Sequence, residues 1–418
     1  MINQKKYWTI SSLFCCILTI FIMLGKLDSV IATPANRVIY DRSLAAQPSF
    51  LQTLKTLVNI DSGTGDLAGI TKVENIIIEQ LNSVGAKVEA RVANPSAGRN
   101  ILATIRGKGK GKILLLAHSD TVFQKGAAAL NPFRIVGNKA YAPGIMDDKG
   151  GILLGVHALK ILKEQNFQNF DTITFLINPD EETGSSGSKE LIKATAKQHD
   201  VALVLEFGSP EDTVAPWRKG IGSYGLEVKG RAAHAGSEPE KGCNALLEAA
   251  HQTIQLSKLG DPTKETTVNV TVFSSGDRPN TIPAFAKIQA DVRVLDAQEY
   301  TRVERDFDRA AKNKLLACTE IKVLAKRGRP PFSPNPQTDA LVKKSQAIYQ
   351  EIGLKLGKKG SGGGTDGNYA VSVGTSTLDA LGLVGGGAHG LDEYIDIERI
   401  APRIYLLTRL LIDLGAAT

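Results

Sequence analysis

A chain of 418 residues with 42% apolar and 22% charged content is long enough for two domains with sizeable cores, and this composition excludes a disordered or fibrous protein. The net charge of +7 is scattered in short clusters such as Lys358-Lys359, with no basic stripe interleaved with aromatics. That argues against a nucleic-acid partner and leaves room for a mild attraction to anionic substrates.

The first 32 residues differ from the rest. Lys5 and Lys6 precede an uncharged run from Tyr7 to Gly25, and Val30-Ile31-Ala32 offers a cleavage site. This is the layout of a secretory signal, so the expected location is secreted or periplasmic. The alternative is a retained membrane anchor, because the run is nearly long enough to span a bilayer. Cys15 and Cys16 lie inside it, which leaves Cys243 and Cys318 able to form one disulfide after export. No Cys-x-x-Cys spacing occurs, so a metal site would have to use histidine and carboxylate.

Amphipathic helices are predicted over 49–60 and 71–84, followed by strands near 87–92, 100–106 and 112–117. The last strand is almost wholly apolar, as in a strand covered on both faces, and ends in His118-Ser119-Asp120-Thr121-Val122. Gly144-Ile145-Met146-Asp147-Asp148-Lys149-Gly150-Gly151 leads into a buried helix over 152–162. An apolar strand over 172–177 then runs into Asp180-Glu181-Glu182-Thr183-Gly184. A helix over 189–196 and a strand over 201–205, ending in Glu206, follow. Strands alternating with helices indicate an α/β layer domain, with polar residues just past the strand ends where such sheets place their sites. Beyond Pro216 the order becomes β-α-β-β-α-β, that of a ferredoxin-like sandwich. It reads as an insertion, because a helix over 338–352, two glycine-rich segments and a final helix over 400–414 return to the first pattern. The resulting division is 1–32, 33–215, 216–326 as the insertion, and 327–418.

Three acids in a row after an apolar strand fit either a solvated turn or a site that a cation neutralises. On extended backbone, Glu181 and Glu182 would point to opposite sides and so take different jobs. His118 has Asp120 two residues on, a carboxylate placed to orient a metal-binding imidazole. Asp147 follows a Pro-Gly turn, and Glu206 ends an apolar strand, where an acid without a partner is uncommon. His157, His199 and His251 have no acid partner and read as structural.

Together these stretches, with Gly230-Arg231-Ala232-Ala233-His234-Ala235-Gly236 and His389, resemble the di-zinc metallopeptidase family of glutamate carboxypeptidases, aminoacylases and acetylornithine deacetylases. Gly328-Arg329-Pro330-Pro331-Phe332 and Gly362-Gly363-Gly364-Thr365-Asp366 bring it nearest to the carboxypeptidase G branch. The resemblance implies an α/β fold: a zinc-exopeptidase-like catalytic domain, its mixed sheet between helices, with an inserted ferredoxin-like lid and dimerisation domain. It implies two Zn2+ ions per subunit, one held by His118 and Glu206, the other by Glu182 and His389, with Asp147 bridging. Asp120 would orient His118, Glu181 would be the general base, and the peptide Asp147–Asp148 would be cis. His234 would act in the partner's active site, so a homodimer is expected. Arg329, Asn280 and Gly363 would bind the substrate, Arg329 as the fork for a free carboxylate. Arg293 reads instead as a structural partner of Asp291 or Glu227.

The activity implied is hydrolysis of the amide bond before a C-terminal residue of a small peptide or N-acyl amino acid. An N-acyl-amino-acid amidohydrolase or dipeptidase would use the same metals. Glutamate-specific relatives have a lysine after the Glu206 position; here the equivalent falls near Thr213, with Arg218 or Lys219 as substitutes. A non-catalytic binding protein with this fold would be expected to lack a ligand or the base, whereas all five ligands and Glu181 are present.

Overall fold

The computed structural model describes residues 36–416. The segment expected to be a signal peptide or anchor lies outside them, and no helix among the described residues is long and apolar enough to cross a membrane. A six-stranded mixed sheet runs in the order Lys87–Val92, Arg99–Arg106, Thr172–Asn178, Lys112–His118, Val201–Val204, Ser376–Leu378. The first two pairings are antiparallel and the last three parallel.

Strand alternation explains how this sheet is covered. Ile113, Leu115 and Ala117 join one apolar cluster with the helices Arg37–Val58, Leu67–Ser83, Lys149–Glu164 and Ile400–Gly415. Leu114 and Leu116 face the other side and pack with Ile192, Ala196, Tyr369 and Ala370. The helix Lys149–Glu164 is buried almost all round. Gly155 lets it approach the sheet, since a Cβ there would lie 2.5 Å from the Phe175 ring.

A second, antiparallel sheet has the order Thr267–Ser275, Phe285–Val294, Gly220–Lys229, Glu320–Arg327. In chain order this is 2-3-1-4, the ferredoxin-like arrangement that the sequence predicts. Tyr224, Leu226, Val228, Ile288, Ala290 and Val292 form its inner face, covered by helices Ala245–Leu256 and Ala297–Lys312. Cys243 and Cys318 form a disulfide between the start of the first helix and the loop after the second.

Candidate metal and catalytic site

Strand register assembles the site. His118 ends its strand directly opposite Asn178, and the acids 180–182 lie just beyond. Leu116 pairs with Val204, so Glu206 emerges beside the same edge. Asp147 lies just before the buried helix Lys149–Glu164, and His389 sits in the glycine-rich segment before the strand Tyr394–Asp396. The peptide Asp147–Asp148 is cis, as the resemblance implies.

Asp147 stands between two groups. Its Oδ1 lies 2.9 Å from His118 Nε2, which is 3.5 Å from Glu206 Oε1. Its Oδ2 lies 3.3 Å from His389 Nε2, which is 3.6 Å from Glu182 Oε2. His118 Nδ1 faces the Asp120 main-chain carbonyl at 3.0 Å and the Asp120 carboxylate at 3.3 Å. Both are acceptors, so Nδ1 carries a ring hydrogen, and Nε2 is the nitrogen turned toward Asp147. Asp120 is itself held: its carboxylate accepts from Glu181 N, Glu182 N and Thr64 Oγ1.

The acidic turn differs from expectation. Glu181–Thr183 forms one turn of 3-10 helix rather than extended backbone. The two glutamates still face different partners. Glu181 Oε1 is 2.8 Å from Arg329 Nη2, an ion pair without hydrogen-bond geometry, whereas Glu182 reaches toward His389. Asp180, which has no evident role in the sequence, organises the turn by accepting from Gly187 N, Ser96 Oγ and Ser188 Oγ.

The electrostatics describe a site short of positive charge. Burial raises the Glu181 and Glu206 carboxyls above their ordinary range and pushes Glu182 up to about 10. The nearby Asp147 charge adds to the rise at Glu206 and Glu182. For Asp147 burial acts the same way, but hydrogen bonds from His118 and His389 outweigh it and hold the carboxyl well below its usual value. Ligand atoms of His118, Asp147 and Glu182 lie within 4.8 Å of one another, and so do those of His118, Glu181 and Glu206. Glu182 Oε1 is buried without a hydrogen-bond partner. Imidazoles and carboxylates converging on so small a volume, with an orphaned carboxylate oxygen among them, fit a divalent metal site.

The other predicted residues are placed apart from this cluster. His234 is exposed, and its Nδ1 accepts from Gly236 N and Ser237 N. It pairs with Thr281, next to Asn280, so those two candidates share one exposed two-stranded region. Gly363 lies in an exposed loop whose Gly362 carbonyl accepts from Arg293. Arg329 is buried and engaged with Asp366, the Glu181 carbonyl and Ser185. Its guanidinium is therefore not free to fork a carboxylate in this conformation, contrary to the role expected for it. Arg293 pairs with Asp291 and keeps part of its side chain exposed. Arg218 is buried in a bidentate pair with Asp379, Lys219 is paired with Glu265, and Thr213 is bonded to Ser209. None of the three is available to read a substrate side chain.

Two supporting residues are not evident in the sequence. Glu393 is buried and accepts from Gly144 N, Met146 N and Asp147 N, which fixes the Asp147 loop. Asp379 anchors Arg218 and accepts from Thr365. Neither carries a local motif; each is defined by partners far away in the chain. Of the cavities, one of about 450 Å3 borders the site at His389. A larger one, about 840 Å3, lies over the sheet between Lys87 and His199 and contains none of the clustered residues.

The model of peptidase family M20/M25/M40 matches residues 114–413. Carboxypeptidase G2 of Pseudomonas sp. (strain RS-16) is 39% identical over 392 residues, covering 93% of this chain and 94% of that protein. Acetylornithine deacetylase of Proteus mirabilis (strain HI4320) is 31% identical over 237 residues, 53% of this chain and 59% of that protein. The crystal structure of a Staphylococcus aureus tripeptidase superposes with a TM-score of 0.76 at 24% identity, covering 89% of this chain and 99% of that one. With its fold, acidic cluster and matched residues in agreement, the chain belongs to peptidase family M20/M25/M40, as an enzyme with peptidase or amide hydrolase activity.

Proposed function

We propose that the protein is a zinc-dependent exopeptidase that hydrolyses the amide bond before a C-terminal residue. The observation that carries this reading is Asp147, whose two oxygens are shared between a His118–Glu206 pair and a His389–Glu182 pair. His118 and Glu206 would hold one zinc ion, His389 and Glu182 a second, with Asp147 common to both. The ions would polarise the scissile carbonyl and acidify a water molecule. Glu181 accepts the proton and returns it to the leaving amine, and Arg329 holds its carboxylate in position. His234 and Asn280, exposed on one region of the ferredoxin-like part, would serve the site of a partner subunit in a homodimer. The substrate's free carboxylate is assigned to Arg293, which lies beside the Gly363 loop and stays partly exposed while paired with Asp291, whereas Arg329 is buried. The long coverage of carboxypeptidase G2 favours this activity over acyl-amino-acid deacylation. Glutamate preference has no support from Thr213, Arg218 or Lys219. The Cys243–Cys318 disulfide supports a secreted or periplasmic location.

The test is a substrate panel on the purified protein: N-acyl-glutamate, N-acetyl-amino acids, dipeptides and the same compounds with the carboxylate amidated. Release from the free acids only supports a carboxypeptidase. Equal release from the amidated compounds would remove the carboxylate from recognition.

A further inference from the structure

The cavity of about 840 Å3 lies at the end of the large sheet remote from the metal cluster. The parallel strands Lys112–His118 and Thr172–Asn178 end at the cluster and start at this cavity, about 20 Å away along the strands. Strand register sets its floor. Lys87 pairs with Thr104 and Thr104 with Thr174; one rung on, Arg106 pairs with Thr172 and Thr172 with Lys112. Residues paired across a sheet share a face, as do residues two apart, so Lys87, Arg106 and Lys112 rise from three different strands on one side. Further along that face Leu114, Leu116 and Leu176 pack with Ile192 and Ala196 of the helix Lys189–Ala196. Thr195, Gln198 and His199, at and just after the end of this helix, form the opposite wall. His199 ties that wall to the floor: its Nδ1 faces the Thr195 carbonyl at 2.8 Å and its Nε2 the Thr174 hydroxyl at 2.9 Å.

Four cations, Lys87, Arg91, Arg106 and Lys112, line the cavity against one carboxylate, Glu89. Both Glu89 oxygens are taken by Arg91. Beside the cavity, Asp171 accepts from Arg106 and the Thr172 hydroxyl, and Asp200 accepts from the Lys112 main-chain N. The ion-pair partners of Glu89 and Asp171 are thus the two arginines, which leaves Lys87 and Lys112 without an ion pair among the described residues. A concave wall of one sign concentrates anions. No Phe, Tyr or Trp lines it, so a nucleobase would find nothing to stack on. The volume suits a small molecule. We propose that this cavity is a second binding site, separate from the metal centre, for a small soluble anion carrying two phosphate groups on a non-aromatic frame. One phosphate is held between Arg106 and Lys112, whose backbones stand two strand spacings or about 10 Å apart, and the other by Lys87, one strand beyond Arg106. The site does not depend on the reaction proposed for the metal centre.

The experiment is calorimetric titration of the purified, zinc-loaded protein with fructose 1,6-bisphosphate, and with fructose as the uncharged control. It is repeated in Lys87→Glu and in the double variant Arg106→Gln, Lys112→Gln. All three side chains are exposed, and Lys87 holds no partner whose loss could unfold the chain. The parent should bind the bisphosphate and not fructose, and Kd should rise about tenfold or more in each variant. Zinc content should stay at the parent value. No saturable binding to the parent overturns the proposal. So does a Kd unchanged in both variants, which would place the anion at the metal centre. Adsorption to phosphatidylglycerol vesicles that Lys87→Glu abolishes, without bisphosphate binding in the parent, also overturns it, since the cations would then serve a lipid surface.

Discussion

Replacing Glu181 by glutamine tests the division of labour in the acidic turn. The amide keeps the shape of the side chain and leaves an oxygen facing Arg329, which stands 2.8 Å from the carboxylate oxygen. Arg329 also keeps Asp366, so the variant leaves no buried cation without a counter-charge. Burial already raises the Glu181 carboxyl, so a neutral replacement should change stability by no more than about 1 kcal/mol. On the proposed mechanism, the variant loses the proton acceptor. General-base catalysis contributes roughly 10²–10⁴ in rate, equivalent to about 3–5 kcal/mol of barrier. The assay is kcat and KM at saturating zinc, with metal content measured on the same samples. The expected result is a kcat reduced by that factor with KM and metal content near the parent values. A kcat within about threefold of the parent would refute the role. Loss of metal together with activity would instead make Glu181 a ligand, which its closeness to His118 and Glu206 permits.

Glu393→Ala should weaken metal affinity about 10–100-fold although Glu393 holds no metal, because the Asp147 loop loses three main-chain anchors; a competitive chelator titration measures this. The Cys243–Cys318 disulfide closes a separation of 75 residues, so the double serine variant should lose about 4 kcal/mol in denaturant unfolding, and a loss below about 1 kcal/mol would show that the bridge constrains little. Burial lowers the His157 imidazole from 6.5 to about 4. Its folded value lies below its unfolded one, so its contribution is present above pH 6.5 and is lost as pH falls toward 4, by about 3 kcal/mol in all. Thermal midpoints of His157→Gln should therefore fall less than those of the parent between pH 7 and pH 4.5.

The catalytic layer was legible because its strands are short apolar runs that end in unusual polar residues. His118, Glu206 and the Asp180–Glu182 stretch sit at or past such ends, where parallel register brings them together, and Asp147 joins them from the turn before the helix Lys149–Glu164. The ferredoxin-like order followed from alternation in the strands around Tyr224 and Ile288. The conformation of the acidic turn was not legible: Asp180 and Asp120 bend it into a 3-10 turn through bonds to residues such as Ser96 and Thr64. The placement of Arg329 was hidden for the same reason. Its neighbours in sequence are apolar or small, and only the fold brings Asp366, Ser185 and Glu181 around it. Arg218 is a similar case, since Asp379 is 161 residues away.

The most direct test of the account is zinc stoichiometry measured together with turnover in the purified parent protein and in Asp147→Ala, before and after chelation. The account predicts two zinc ions per chain in the parent, hydrolysis lost on chelation and restored by zinc, and neither full occupancy nor turnover in the variant. Hydrolysis that survives chelation, or an Asp147→Ala protein that keeps both metal and rate, would contradict it.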